Sequence, residues 1–265
     1  MSASTKFATV SDGKLAYEVY GESGDPVLCL PSLGDTRREY ERLIPDLISK
    51  GFRPIVTELR GNGESRGKFK SFTIQILADD IKAVVDGEKL DKISIIACSI
   101  SGASAALFAI QNPARVRTLV LINPIMHTAG AFMRGTLCTL LRIPGLGPSI
   151  WASYFKSLYP KNPVEPDYLD MIRNNTHQSG TMKSIANMCW TARLDDRISA
   201  IPGSVLIFFG SRDPDFPDVK AEAASIKAKL PGADIRVIEG VGHYPQREDP
   251  SSVNPQICDW LKDLK

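Results

Sequence analysis

Histidine is scarce in this sequence: 3 among 265 residues, His127, His177 and His243. Any chemistry that needs an imidazole must therefore use one of three positions. Cysteine occurs 5 times (Cys29, Cys98, Cys138, Cys189, Cys258), an odd number with no C-x-x-C pair. That argues against a disulfide framework and a cysteine zinc site, and for small buried apolar residues in a reducing compartment. No apolar run is long enough to cross a bilayer. A formal net charge of +2 is too mild for a nucleic-acid or membrane-surface binder. The N-terminal MSASTKFATV has no signal-peptide apolar core, so a cytoplasmic location is expected. There is no internal repeat, low-complexity tract or Gly-rich dinucleotide fingerprint; Gly61-x-Gly63 is too short. A cofactor and a metal are therefore not expected.

What is present suits one well-packed domain, at 43% hydrophobic and 23% charged residues. Phe7–Val10 and the alternating Leu15, Tyr17, Val19 flank the turn signal Ser11-Asp12-Gly13, as in an antiparallel pair. Val27–Leu30, Phe52–Leu59, Ile93–Ile96 and Val116–Asn123 are apolar runs suited to strands covered on both faces. Between them, Tyr40, Leu43, Ile44, Leu47 and Ile48 recur at helical spacing, with Pro45 suggesting a bend. Ile74, Leu77, Ile81, Val84 and Val85 mark a second helix. This alternation predicts an α/β fold, a mostly parallel sheet with helices on both faces.

The rhythm stops at Pro124. Up to about Arg197 no strand pattern appears, and apolar and aromatic clusters include Phe132, Met133, Leu137, Trp151, Tyr154, Tyr168 and Trp190. The expected organisation is a core of residues 1–124 and 198–265 with a helical cap, 125–197, inserted after the sixth strand. Strands Val205–Phe209 and Ile235–Ile238 and a helix carrying Val253, Ile257, Trp260 and Leu261 complete the core.

The chemistry points to Lys92–Ala106, KISIIACSISGASAA: a buried strand, a tight turn and a helix lined with small residues. A nucleophilic serine at such a turn sits in a strained conformation and needs small neighbours two before and two after it. Ser99 has Ala97 and Ser101 there. Cys98 would put Ile96 and Ile100 in the crowded positions and is rejected; Ser101 remains sterically possible, and a plain helix-capping serine is the bland alternative. A serine hydroxyl needs a base, and the base needs an orienting group. His243, in Gly240-Val241-Gly242-His243 after the last strand, is placed for the sheet's carboxyl edge. Asp213 follows the strand ending at Phe209, with Asp215 and Asp218 close enough to be confused with it.

The order Ser99, Asp213, His243, with the segments LCLPSLGD, ELRGNGES, ACSISG, GSRD and GVGH, resembles the α/β-hydrolase-fold serine hydrolases that carry a helical cap. Three departures from that family's pattern stand out: Pro31-Ser32 replaces His-Gly, Cys98 replaces histidine, and Ala97 and Ser101 replace the elbow glycines. The resemblance implies an oxyanion hole made by the backbone N–H groups of Leu33 and Ile100. It implies cleavage of an ester or lactone bond of a fairly apolar small molecule through an acyl-enzyme, by a monomer or homodimer. Ser32, His127, Trp151, Tyr154, Trp190 and Tyr244 are expected around the substrate. The same scaffold also supports C–C bond hydrolysis, cofactor-free peroxidation, lyase chemistry and non-hydrolytic small-molecule reception.

Overall fold

The computed structural model describes residues 4–127, 138–143, 145–189 and 194–264. The strands are β1 (Thr5–Val10), β2 (Gly13–Val19), β3 (Asp25–Leu30), β4 (Phe52–Thr57), β5 (Arg66–Gly67), β6 (Ile93–Cys98), β7 (Val116–Ile122), β8 (Ser204–Gly210) and β9 (Asp234–Ile238). Their order in the sheet is β1-β2-β4-β3-β6-β7-β8-β9, with β5 paired to β2. β2 runs antiparallel to β1, β4 and β5; from β4 to β9 every pairing is parallel. The helices are α1 (Ile44–Ser49), α2 (Ile74–Gly87), α3 (Ile100–Gln111), α4 (Leu146–Ser157), α5 (Pro166–His177), α6 (Thr181–Cys189), α7 (Val219–Lys229), α8 (Pro245–Glu248) and α9 (Pro250–Asp263).

The parallel strands alternate between two cores because successive side chains point to opposite faces. Leu28, Ile95, Leu119, Leu121 and Ile207 pack with α2, α3 and α7. Val27, Cys29, Ile96, Val120 and Phe208 pack with α1 and α9 on the other face. Each fully buried branched or aromatic side chain contributes about 1.5–3 kcal/mol relative to exposure. The second cluster continues into α4 and α5 through Trp151, Phe155, Tyr168 and Ile172. The described part of 124–203 contains helices and no strand, and its apolar side chains share a core with one face of the sheet.

Two expectations need adjusting. Pro45 does not bend a helix running from Tyr40: a 3-10 turn, Arg37–Tyr40, comes first, and α1 starts at Ile44 with Pro45 in its first turn. A proline is at home there, where its missing N–H has no intrahelical acceptor to lose. The two-residue β5 also makes Val116–Ile122 the seventh strand, so the helical segment follows the seventh and not the sixth. A two-residue strand has too little periodicity to be read from sequence.

Candidate active site

The loops that follow β3, β6, β7, β8 and β9 meet at the carboxyl edge of the sheet. Ser99 stands between β6 and α3 with φ 56° and ψ −123°, one of four non-glycine residues at positive φ among those described. Its N–H donates to Ile122 O at 2.8 Å, and its own carbonyl accepts from Ile125 N–H at 3.2 Å. The turn is thus clamped to the end of β7. Ala97 and Ser101 are completely buried in place of glycines. The Ser101 hydroxyl donates to Pro31 O, and Ser101 does not line the cavity that Ser99 lines.

His243 Nδ1 lies 2.7 Å from Asp213 Oδ2 and 3.6 Å from Asp215 Oδ2. Asp213 is therefore the carboxylate bonded to the imidazole, and its other oxygen accepts Asp215 N–H at 2.9 Å. Burial works against charge on His243, but the Asp213 carboxylate, joined by Asp215 and Glu39, outweighs it and lifts the imidazole to about 9. Asp215 has its own role, accepting the hydroxyl of Tyr154. Asp218 caps α7, its side chain accepting Ala221 N–H at 3.0 Å.

Asn123 was not singled out from the sequence, yet it joins two of these loops. It sits at φ 42° just after β7 and is completely buried. Its Nδ2 donates to Gly242 O (3.1 Å) and His243 O (2.9 Å), and its Oδ1 accepts from Gly210 N–H (3.0 Å). The acid loop and the histidine loop are thus fixed to one side chain. The helical segment braces the same loop: His243 N–H donates to Leu158 O at 2.9 Å. A Cβ at position 242 would lie 2.3 Å from that oxygen, so only glycine permits the approach.

Ser99 and His243 line one cavity of ≈ 280 Å³ with Ser32, Leu33, Ile100, Trp151, Tyr154 and Tyr244. No hydrogen bond joins the Ser99 hydroxyl to the imidazole among the described contacts, and such contacts commonly tighten only around substrate. The other described residues of its lining are Ile125, Cys138, Leu158, Cys189, Pro214 and Asp215, so the described walls are largely apolar. Trp151 covers Gly34, where an added Cβ would come within 2.6 Å of the indole. Its Nε1 is buried without a partner among the described residues. The Leu33 and Ile100 N–H groups likewise make no hydrogen bond among the described residues.

The Ser32 hydroxyl faces Tyr244 Oη at 2.6 Å and so is engaged within the protein. His127 departs from expectation. It does not line the cavity; it lies against α7, 3.4 Å from Ser225 Oγ and 4.0 Å from Asp195 and Glu222 carboxylates. The chain leaves the site after Ile125, buries Met126 and has turned toward α7 by residue 127. His177 is a surface residue bonded to Arg173 O. Trp190, Phe132, Met133 and Leu137 lie outside the described residues.

Among the described residues, Asp213, Asp215 and His243 are the one group close enough to share a metal ion. Within it His243 Nδ1 and Asp213 Oδ2 already pair at 2.7 Å, while the Asp215 carboxylate stands 3.6 Å from the imidazole and accepts from Tyr154. Residues 27–256 match the sequence model of the alpha/beta hydrolase family. The chain belongs to the alpha/beta hydrolase family. This hydrolase is 25% identical to a 2-hydroxy-6-oxononadienedioate/2-hydroxy-6-oxononatrienedioate hydrolase of Dechloromonas aromatica, over 98% of this chain and 96% of that protein. Among solved structures it resembles a thermophilic esterase from Thermogutta terrifontis, with TM-score 0.84, 24% identity, and 100% and 99% of the two chains covered. It also resembles an N-acyl homoserine lactone degrading enzyme, with TM-score 0.79, 21% identity, and 98% and 100% covered. The alpha/beta hydrolase fold accounts for the parallel sheet and for active loops gathered at its carboxyl edge. No helix of the described residues is long and apolar enough to cross a membrane.

Proposed function

We propose that this chain hydrolyses an ester or lactone bond in a small, fairly apolar molecule through Ser99, His243 and Asp213. The observation that carries this reading is Ser99 at φ 56° on the wall of a largely apolar cavity that it shares with an imidazole held 2.7 Å from Asp213. His243 Nε2 takes the hydroxyl proton as Ser99 Oγ bonds to the acyl carbon. The carbonyl π electrons move to oxygen, and the Leu33 and Ile100 N–H groups receive that oxyanion. Collapse expels the alcohol, which leaves with the proton from His243. Water then attacks the acyl-enzyme with the same base, releasing the acid and restoring Ser99. Asp213 keeps Nδ1 protonated throughout and stabilises the imidazolium.

A second reading is C–C bond hydrolysis, favoured by the likeness to the 2-hydroxy-6-oxononadienedioate hydrolase of Dechloromonas aromatica. That relative is named for a dicarboxylate. The described walls here contribute Asp215 as their charge beside the Asp213–His243 pair, which supports a neutral substrate over a dianion. Turnover of a panel of esters, lactones and β-diketones by wild type, S99A and S101A separates the readings. Ester turnover and fluorophosphonate labelling lost only in S99A support the proposal. β-Diketone cleavage without ester cleavage favours the second reading, and unchanged labelling in S99A removes Ser99 from its role.

A further inference from the structure

Ser32 has every polar atom engaged. Its N–H donates to Glu39 Oε2 at 2.6 Å, its carbonyl accepts Asp35 N–H at 3.3 Å, and its hydroxyl meets Tyr244. In a trans peptide the carbonyl and the following N–H point opposite ways. Anchoring Ser32 O on Asp35 therefore turns the Leu33 N–H away from the 35–40 turn and leaves it unpaired among the described residues.

Glu39, on that turn, is completely buried and is not one of the groups that line the cavity. Its second oxygen accepts from Gln246 Nε2 at 3.1 Å, and Gln246, also completely buried, lies three residues beyond His243. One carboxyl thus stands between the loop that carries Leu33 and the loop that carries the base. A carboxyl offers one oxygen to each of two loops from a fixed plane, where an apolar side chain would leave both partners unpaired. Burial, with the neighbouring Asp35 charge, lifts Glu39 to about 8, so near neutral pH its O–H is itself a donor, for which Gln246 Oε1, unpaired among the described residues, is the acceptor at hand.

We propose that Glu39 is a positioning residue: by holding Ser32 N–H on one oxygen and Gln246 on the other, it sets the Leu33 N–H relative to His243. This rests on the acyl-transfer reading above. The test measures kcat and KM for p-nitrophenyl butyrate in the full chain, per active site counted by end-point fluorophosphonate labelling, with thermal melts to report folding. E39L leaves Ser32 N–H and Gln246 without the oxygens they meet, whereas E39Q, the amide isostere of the protonated acid, keeps an acceptor for Ser32 and meets Gln246 Oε1 once that amide is turned. In E39L we expect kcat to fall about 10- to 100-fold, short of outright loss of an oxyanion donor, with KM within about threefold. In E39Q kcat should stay within about fivefold of wild type.

A merely structural Glu39 would lower the melting temperature without lowering kcat per labelled site. An E39L protein with wild-type kcat, or an E39Q protein no faster than E39L, overturns the proposal. If E39L does not fold, Q246A removes the partner of the second oxygen alone, and unchanged kcat there overturns it equally. Inactive wild type with labelling unaffected by S99A would overturn the acyl-transfer reading and this proposal together. Active wild type with indifferent Glu39 variants overturns this proposal alone.

Discussion

The two sides of the cavity are built by different means. On one side, Asp213 and His243 sit on short loops leaving β8 and β9, fixed to Asn123 and to the main chain of Leu158. On the other, the Pro31–Leu33 loop is held by buried side chains: Glu39, Tyr244, and Ser101 from the first turn of α3. The first side depends on where strands end, the second on which polar groups are buried beneath a loop. Strand ends are fixed by the whole sheet, so the Asp213 and His243 loops should tolerate change around them except at Asn123, whose side chain clasps both. A loop held by a few side chains should respond to each one.

The comparison fails at its root if Ser99 is not the reacting group. S99A should lower turnover by about 10³-fold or more, whereas S101A, which removes only the donor to Pro31 O, should cost about 3- to 10-fold. Steady-state kinetics on one ester substrate checks both. The next largest effect is expected at Asn123. N123A leaves Gly210 N–H short of its acceptor and two loop carbonyls short of their donor, in a fully buried place. Stability should drop by about 3 kcal/mol in urea unfolding, with turnover down at least tenfold.

The two sides should also titrate apart. As a base His243 must be neutral, so kcat/KM should climb with pH through about 9, and D213N should move that limb down while lowering the rate. For stability the signs follow from linkage. His243 is lifted from 6.5 to about 9, so its charge stabilises the fold fully below 6.5 and that contribution is lost as pH rises toward 9. Glu39 is lifted from 4.5 to about 8 and Asp35 from 3.8 to about 6. Between those values the fold keeps protons that the unfolded chain has released, so stability should already fall with rising pH in the lower window. Urea unfolding at pH 5, 7 and 9 should show both slopes, and E39Q should flatten the lower one. The smallest effect belongs to Y244F, which removes one partner of Ser32: about 0.5–1.5 kcal/mol of stability and a fewfold loss in kcat.

This division decides what could be read from the chain alone. Buried strands announce themselves as apolar runs, and glycines beside Asp213 and His243 mark turns at strand ends, so that side was legible. Glu39 gives no such sign: Arg37, Arg38, Glu39 and Glu41 read as a solvated charged turn, yet Glu39 is completely buried. Which of four neighbouring charges turns inward depends on the 3-10 turn that precedes α1, and Pro45 invited the reading of one bent helix instead. Asn123 was legible as a strand end but not as a clasp, because its partners lie about 90 and 120 positions further along the chain. His127 looked near the site by its distance from β7, but Ile125 and Met126 had already spent that proximity.

The bond from His243 N–H to Leu158 O has a consequence for any opening motion. His243 is mounted in part on the segment that follows α4, whose side chains wall the chamber. A wall that swung clear would strip the imidazole's own peptide of its brace. Under the proposed mechanism, admission of a substrate and readiness to take the Ser99 proton are therefore set by the same displacement, and a variant that loosens one should disturb the other.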